Sequence, residues 1–281
     1  MKPLSFSALA AVAALVPGLA PIAARAQSAW LPLPAQFEIT PRYVYERFDT
    51  FWMGASAKPE LPDAVVQQSG LLTAEYALGT HWALDATIGY VWVDTAAFGQ
   101  KETDEGLVDS RIGARWRFVD EQTTSLTWLP TLTLRAGGII AGTYDEGLPF
   151  SAGDGAHGGE CSLLFGKSIL DTGFGFFGDI GYRVREHPVP DDFFASAGVF
   201  QSIGRFTLST AYRHTQGLSG MDIGDPGFTF PAVKEVTQLL EFGAGFRDHG
   251  NRYYQLFGAF SVDGRNSGDK LILGASFTFG F

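Results

Sequence analysis

One stretch limits the possible folds more than any other: His81-Trp-Ala-Leu-Asp-Ala-Thr-Ile-Gly-Tyr-Val-Trp-Val93. Trp82, Leu84, Ala86, Ile88, Tyr90 and Trp92 fall on one phase, while Ala83, Asp85, Thr87, Gly89, Val91 and Val93 fall on the other. Successive side chains of a strand point to opposite faces, so this period of two makes a strand with unlike sides. The run is longer than the ~5–6 residues of an ordinary globular strand. It is long enough for a tilted membrane strand of ~9–11 residues.

The same alternation returns along the chain. Strands are predicted over 37–47, 68–78, 81–93, 106–118, 127–142, 159–168, 173–185, 192–202, 205–215, 234–247, 252–263 and 270–281. Longer connections at 48–67, 94–105, 143–158, 186–191, 216–233 and 264–269 alternate with mostly shorter ones at 79–80, 119–126, 169–172, 203–204 and 248–251. Long loops at one end and short turns at the other mark an even-stranded membrane barrel. A Greek-key sandwich has no reason to produce that order. The predicted fold is all-β: a transmembrane antiparallel up-and-down β-barrel of about 12 strands in the bacterial outer membrane.

Composition agrees with strands that have one face in lipid. Charged residues are 18% of the chain, against a usual ~25%, aromatics are 14%, and Gly numbers 35. Residues 1–26 read as a signal peptide: Lys2, an Ala-rich apolar run from Leu4 to Leu19, and Ala24-Arg25-Ala26 as the cleavage pattern. Residues 27–36 are expected to be a periplasmic N-terminal segment, and 37–281 the barrel. Beyond the signal no run of about 18 apolar residues occurs, which excludes a spanning helix. Loss of Lys2 and Arg25 moves the formal charge from −10 to −12. A chain this acidic excludes nucleic acid as a partner, because phosphate binding runs on Lys and Arg. The expected partners are outer-membrane lipid, a small-molecule solute, and the barrel-assembly machinery. That machinery would read Phe281 at the end of the alternating set Leu271, Leu273, Ala275, Phe277, Phe279.

The strand phase also says which side is wet. On strand 106–118, Asp109, Arg111, Arg115 and Arg117 share the face opposite Val108, Ile112, Trp116 and Phe118. An arginine facing hydrocarbon costs about 2–4 kcal/mol at the bilayer midplane, so these four face the lumen. Arg135, Glu160, Asp179 and Arg183 join them from later strands, as do Glu38, Arg42, Glu75, Asp85, Arg185, Arg213, Glu241 and Arg247. Two readings stand: ions pairing across strands to fill the interior, or an arginine ladder that guides polar or anionic solutes. Barrels of eight strands are filled by side chains and those of sixteen or more leave a channel, so a narrow or partly plugged bore is expected. The segment Ala29-Trp-Leu-Pro-Leu-Pro-Ala35 reads equally as a lumen plug or a loose leader. Phe48, Phe51, Trp52, Met53, Phe228 and Phe230, with Phe98, Phe150 and Met221, place apolar side chains in the extracellular loops. They suit an aromatic girdle at the headgroups or an apolar vestibule.

No enzymatic activity, metal or cofactor is expected. A barrel hydrolase needs a histidine and a serine on one strand face, and none of His81, His157, His187, His214 and His249 is followed by x-Ser. Acidic, Gly-rich stretches at 145–147 and 153–159 match no calcium-loop spacing. With Cys161 as the single cysteine, disulfides and thiolate metal sites are excluded.

Gly106-Leu-Val-Asp109-Ser-Arg-Ile-Gly113-Ala-Arg115-Trp-Arg117, followed by Leu129-Pro130-Thr-Leu132-Thr-Leu134-Arg-Ala-Gly137, resembles the outer-membrane barrel family named for the meta-pathway of phenol degradation. Leu164-Phe-Gly-Lys-Ser168 and Gly178-Asp-Ile-Gly-Tyr-Arg183 are similar to later strands of that family. The family's Pro-Thr-Gly turn is replaced here by Ala141-Gly-Thr-Tyr-Asp. The resemblance implies passive uptake of small hydrophobic or aromatic compounds. The expected function is a passive outer-membrane channel for small molecules; a non-transporting barrel whose loops bind a surface partner is the alternative.

Overall fold

A computed structural model describes residues 28–281 except 56, 98–101, 146–150, 170–171 and 251. The expected signal peptide, Phe98 and Phe150 lie outside the described residues. The described chain forms thirteen strands in one antiparallel sheet. They are β1 Phe37–Thr50, β2 Glu60–Ala77, β3 Trp82–Thr95, β4 Glu102–Leu107, β5 Ser110–Val119, β6 Thr131–Ile140 and β7 Gly158–Ser168. β8 Phe174–Arg185, β9 Asp192–Ile203, β10 Phe206–Gly217, β11 Val236–Arg247, β12 Tyr253–Arg265 and β13 Leu271–Gly280 complete the sheet.

The first strand pairs with the last, for example Tyr43 with Ala275, and also with β2, which closes the sheet. β4 and β5 share one partner. Tyr90 of β3 faces Leu107 of β4, and Thr87 faces Arg111 of β5. The two are one stave broken at Val108-Asp109, so thirteen strands make a twelve-stave barrel. Val108 still donates its N–H to Gly89 O at 3.0 Å, so the break is a local kink.

Ten of the twelve predicted strands agree with the structure to within about four residues at either end, inside the usual boundary error. The other two differ for physical reasons. β2 starts at Glu60 rather than 68 because Val65 and Val66 keep pairing with Phe48 and Arg47 beyond the expected loop. The fourth stave breaks because its register against β3 shifts by one residue there, Tyr90 facing Leu107 but Thr87 facing Arg111. The bulged Asp109 accepts from Gly142 N and the Tyr144 hydroxyl at 3.0 and 2.8 Å.

The outer surface carries the apolar phase of every stave. Leu72, Trp82, Ile88, Trp92, Ile112 and Leu256 are all exposed there, as is Cys161. In water so large an apolar surface would associate; in a bilayer it is the lipid face. Closure leaves no sheet edge, which hydrocarbon requires. The short turns and both described chain ends lie together, and that end faces the periplasm. Phe37 and Phe281 lock the rim there through reciprocal backbone bonds of 3.2 and 2.9 Å. Phe281 itself is 73% exposed on the outer face.

Candidate functional site: the lumen

The inner phase of β2 to β9 carries a continuous ion-pair network. Glu75 takes Arg115 Nη2 at 2.6 Å, and Asp85 takes Arg135 Nη2 at 2.7 Å and Arg115 Nε at 3.6 Å. Arg135 also donates to Glu160, which receives Arg183 Nε at 3.3 Å and Arg111 Nη1 at 3.9 Å. Arg183 then reaches Asp192 at 3.0 Å. Above this ladder Arg185 bridges Asp109 and Asp154, at 2.9 and 2.6 Å. Register explains the pairing: Asp85 lies opposite Gly113 and Gly113 opposite Gly137, so the tilted inner positions leave space for arginines to cross. A Cβ on Gly113 would stand 2.8 Å from Arg135 Nη2.

Each sequence-selected lumen residue faces inward, but not in equal company. Arg115, Arg135, Glu160 and Asp179 are buried, and Asp179 accepts from Ser196. Arg117 belongs to the periplasmic rim, where it binds Thr80 O at 2.5 Å and Asp120 at 3.1 Å. Arg111 keeps 35% of its side chain exposed. Arg213 pairs with Glu241 at 2.7 Å, with about a third of each side chain exposed, and reaches Asp179 at 3.9 Å. Of the two readings of the charged lumen, the geometry realises cross-strand pairing.

Both ends of the lumen are narrowed. At the periplasmic end Ser28, Ala29 and Leu31 are buried inside the wall. Arg115 donates to Ser28 O at 3.3 Å and Thr133 Oγ1 to Ala29 O at 2.6 Å. The Trp30 indole donates to Glu121 at 2.9 Å and meets the Phe200 ring edge-on at 6.0 Å. Gly166 forms its seat, since a Cβ there would come within 2.4 Å of the Trp30 ring.

At the outer end Phe48, Val65, Val91 and Val93 point into the bore and pack with Ala97 and Tyr144 from the loops. Phe51, Leu61, Val108 and Ala152 extend this cluster. Of the predicted loop apolar residues, Phe48 is thus a strand residue of the inner wall. Trp52 is buried beside Gly264, with Lys58 Nζ 4.4 Å above its ring. Met53 remains 38% exposed. Phe228 and Phe230 pack edge-on at 4.8 Å within their own loop, away from the cluster. Tyr144 was not singled out from sequence, because a lone loop tyrosine carries no periodic signal. Burial beside Asp109 pushes its hydroxyl above the ordinary tyrosine range.

A small cavity of about 100 Å³ lies between Asp154, Arg183, Asp192, Thr215 and Glu235. Glu46 pairs with Lys270 nearby at 3.0 Å. Among the described residues no histidine ring is bonded to a serine hydroxyl; His214 lies on the outer phase, 3.4 Å from Gln216.

No family model matches the sequence, and no curated protein matches it. Among solved structures, the COG4313 outer membrane channel from Pseudomonas putida F1 is similar over 89% of this chain and 97% of its own, with a TM-score of 0.72 at 12% identity. The translocator domain of the autotransporter NalP from Neisseria meningitidis gives 0.48 at 12% identity over 89% and 90% of the two chains. The Pseudomonas putida toluene transporter TodX gives 0.42 at 10% identity over 90% of each. The first likeness shows the fold. The protein is an outer-membrane β-barrel, with a lipid-facing exterior and a polar, partly filled lumen.

Proposed function

We propose that the protein is a passive channel for small apolar molecules, aromatic compounds among them. The observation that carries this reading is the apolar collar of Phe48, Val65, Val91 and Val93 inside the outer mouth. Barrel lumens that conduct polar solutes are wet and polar. Here, entry runs through a constriction that excludes water and favours solutes able to shed it. Below the collar the wall arginines are matched by carboxylates, so the wall presents no unbalanced charge ladder for an anion to follow. The resemblance of residues 106–137 to the phenol meta-pathway barrels points to the same solute class.

In this reading residues 1–26 are removed on export, 37–281 form the barrel, and of the N-terminal segment 27–36 the described residues 28–36 lead from the periplasmic rim into the bore as a stopper. Phe281, exposed at that rim, is the residue the assembly machinery would engage. Solutes partition into the collar, descend along the less crowded wall of β10 to β13, and pass the stopper when it shifts.

Flux into vesicles bearing the purified barrel tests the proposal. Toluene-sized aromatics are expected to cross faster than through vesicles of matched lipid carrying a closed control barrel, and Phe48→Asp with Val91→Asp is expected to slow them. Equal aromatic flux in the double variant, with sugars or small anions crossing freely in the wild type, would overturn it. Such a result would favour a polar channel. Silence for every solute would leave the surface-binding barrel, to be sought by deleting loop 218–235.

A further inference from the structure

The barrel exterior carries a feature that lumen transport does not use. On the outer phase of β7 to β11, a groove of about 440 Å³ is lined by Phe165, Phe176, Ala197, Val199, Tyr212 and Leu240. It arises where Ala197 and Thr210 stand among large side chains, so the otherwise full apolar belt is dented there. Along β10 the outer phase runs from this dent through Leu208 and Phe206 to the β9–β10 turn, where Arg205 stands. From Thr210 to Arg205 is about 17 Å along the strand, close to one leaflet of a ~30 Å hydrocarbon core.

Arg205 is not alone at that turn. Its Nη2 donates to His249 Nδ1 at 2.7 Å, across to the β11–β12 turn, which leaves the imidazole Nε2–H as a free donor direction. Arg252 is exposed in the same turn, and the Asp248 carboxylate is engaged mainly by the turn's own Gly250 and Arg252 N–H groups, at 2.7 and 3.2 Å. Its contact with the Arg252 guanidinium is 3.9 Å. The β5–β6 turn on the opposite side of the rim carries Asp120 and Glu121 instead. Beneath the groove, Arg205, His249 and Arg252 thus stand in two neighbouring turns, whereas the rim arginine on the opposite side, Arg117, is paired with Asp120 at 3.1 Å. Phe206, Phe246 and Tyr254 line the rim between them, with ring centroids 5.0 and 6.3 Å apart.

We propose that this face is a binding site for an anionic phospholipid of the periplasmic leaflet, its phosphate held by Arg205, His249 and Arg252 and an acyl chain seated in the groove at Ala197. The chemistry favours a headgroup without its own ammonium, because a zwitterionic lipid brings a cation to an already cationic turn pair. Oriented Arg donors on phosphate give the charge part, and the dent gives the apolar part.

Native mass spectrometry of the detergent-solubilised barrel tests both parts, using phosphatidylglycerol, phosphatidylethanolamine and inorganic phosphate as separate probes. The wild type is expected to retain phosphatidylglycerol over phosphatidylethanolamine by about fivefold per arginine engaged. Arg205→Gln with Arg252→Gln is expected to erase that preference while leaving weak retention of both lipids. Ala197→Phe, which fills the groove, is expected to reduce retention of both, and Thr210→Phe reads the same wall should the first variant fail to fold. Heat-modifiable electrophoretic mobility confirms folding in each case. Equal retention of the two lipids overturns the proposal, as does a preference untouched by the double Arg variant or adducts undiminished in both groove variants. Binding of inorganic phosphate alone with no lipid adduct overturns it in favour of a free-anion site. A dimer that excludes lipid assigns the groove to a second copy.

Discussion

Two walls of one lumen use the same residue types to different ends. Along β2 to β9, carboxylates and guanidiniums alternate so closely that Arg115, Arg135 and Glu160 keep at most 4% of their side chains exposed. Along β10 to β13 and β1 the ion pairs are fewer and more open to water. Arg213 and Glu241 remain about one-third exposed, and Arg42 lies over the Phe257 ring at 5.4 Å. The facing positions are small or neutral, as with Ser209 opposite Gly243 and Gln255 opposite Ser276. A buried charge has to be matched by partners in place, and one left unmatched is costly. A wetted pair is screened and contributes little. The first wall is therefore a strut, and the second is the side along which something can move.

Breaking one ion on each wall tests this contrast most strongly. Glu160→Gln leaves Arg135, Arg183 and Arg111 facing one another without their shared anion. Removing one partner of a buried network costs about 3–5 kcal/mol, so the folded band should be lost at markedly lower urea concentration. Glu241→Gln, whose partner Arg213 keeps Asp179 at 3.9 Å, should cost less than about 1 kcal/mol. Similar losses in urea titrations of the two variants would mean that the walls are equivalent.

The second test concerns the stopper, which is held by the strut wall alone. Trp30→Ala removes the bond to Glu121 and the Phe200 contact, worth about 2 kcal/mol together. The undocked population then rises about thirtyfold. Gly166→Val should act likewise by filling the seat. In planar bilayers both variants are expected to show longer or more frequent open events than the wild type. Unchanged traces in both would place the limiting constriction at the apolar collar instead.

The division between walls also marks how far the sequence could be read. Alternation in residues 81–93 and its eleven echoes fixed the staves, and the phase of Arg111, Arg115 and Arg117 placed them inside, because facing hydrocarbon is too costly for arginine. Pairing partners were not legible. Which carboxylate meets Arg135 depends on register and tilt, and Asp85 and Glu160 come from strands with 50 and 25 residues of separation in the chain. The stopper was legible only as an alternative, since a Pro-rich segment without period has no phase to read. The collar was half visible: Val91 and Val93 sit on the inner phase of a predicted strand, but Phe48 and Val65 fell within a predicted loop, and Tyr144 and Ala152 reach it from another.

Bulk inside the open wall gives a smaller effect that bears on the path itself. A Cβ on Gly243 would meet only the ends of Ser209 and Gln255, at 2.6 and 3.0 Å, both side-chain tips that can turn away. Gly243→Leu should therefore cost about 1 kcal/mol or less in stability while lowering aromatic flux. The same substitution at Gly113 on the strut wall would strike Arg135 at 2.8 Å and the Ala136 carbonyl at 3.2 Å, so it should fail on stability first. Reduced flux from Gly113→Leu in a fully stable barrel would reverse the assignment of walls.

The smallest expected effect lies where the walls meet at the outer mouth. Burial, opposed by Lys270 and reinforced by Asp154, Glu46 and Asp192, pushes the Glu235 carboxyl up to about 7. A carboxyl whose folded pKa lies above its unfolded value is favoured in the protonated state. That contribution is fully present at pH below the ordinary glutamate value and is lost as pH rises toward 7. The wild type should then unfold at a temperature lower by about 2–4 °C at pH 8 than at pH 5, on the order of 1 kcal/mol at a half-wetted position. Glu235→Gln should flatten that slope and raise stability at the alkaline end. Persistence of the full slope in the variant would move the titration to Asp192, already held by Arg183 at 3.0 Å. The mouth would then be coupled to the strut wall rather than poised between the two.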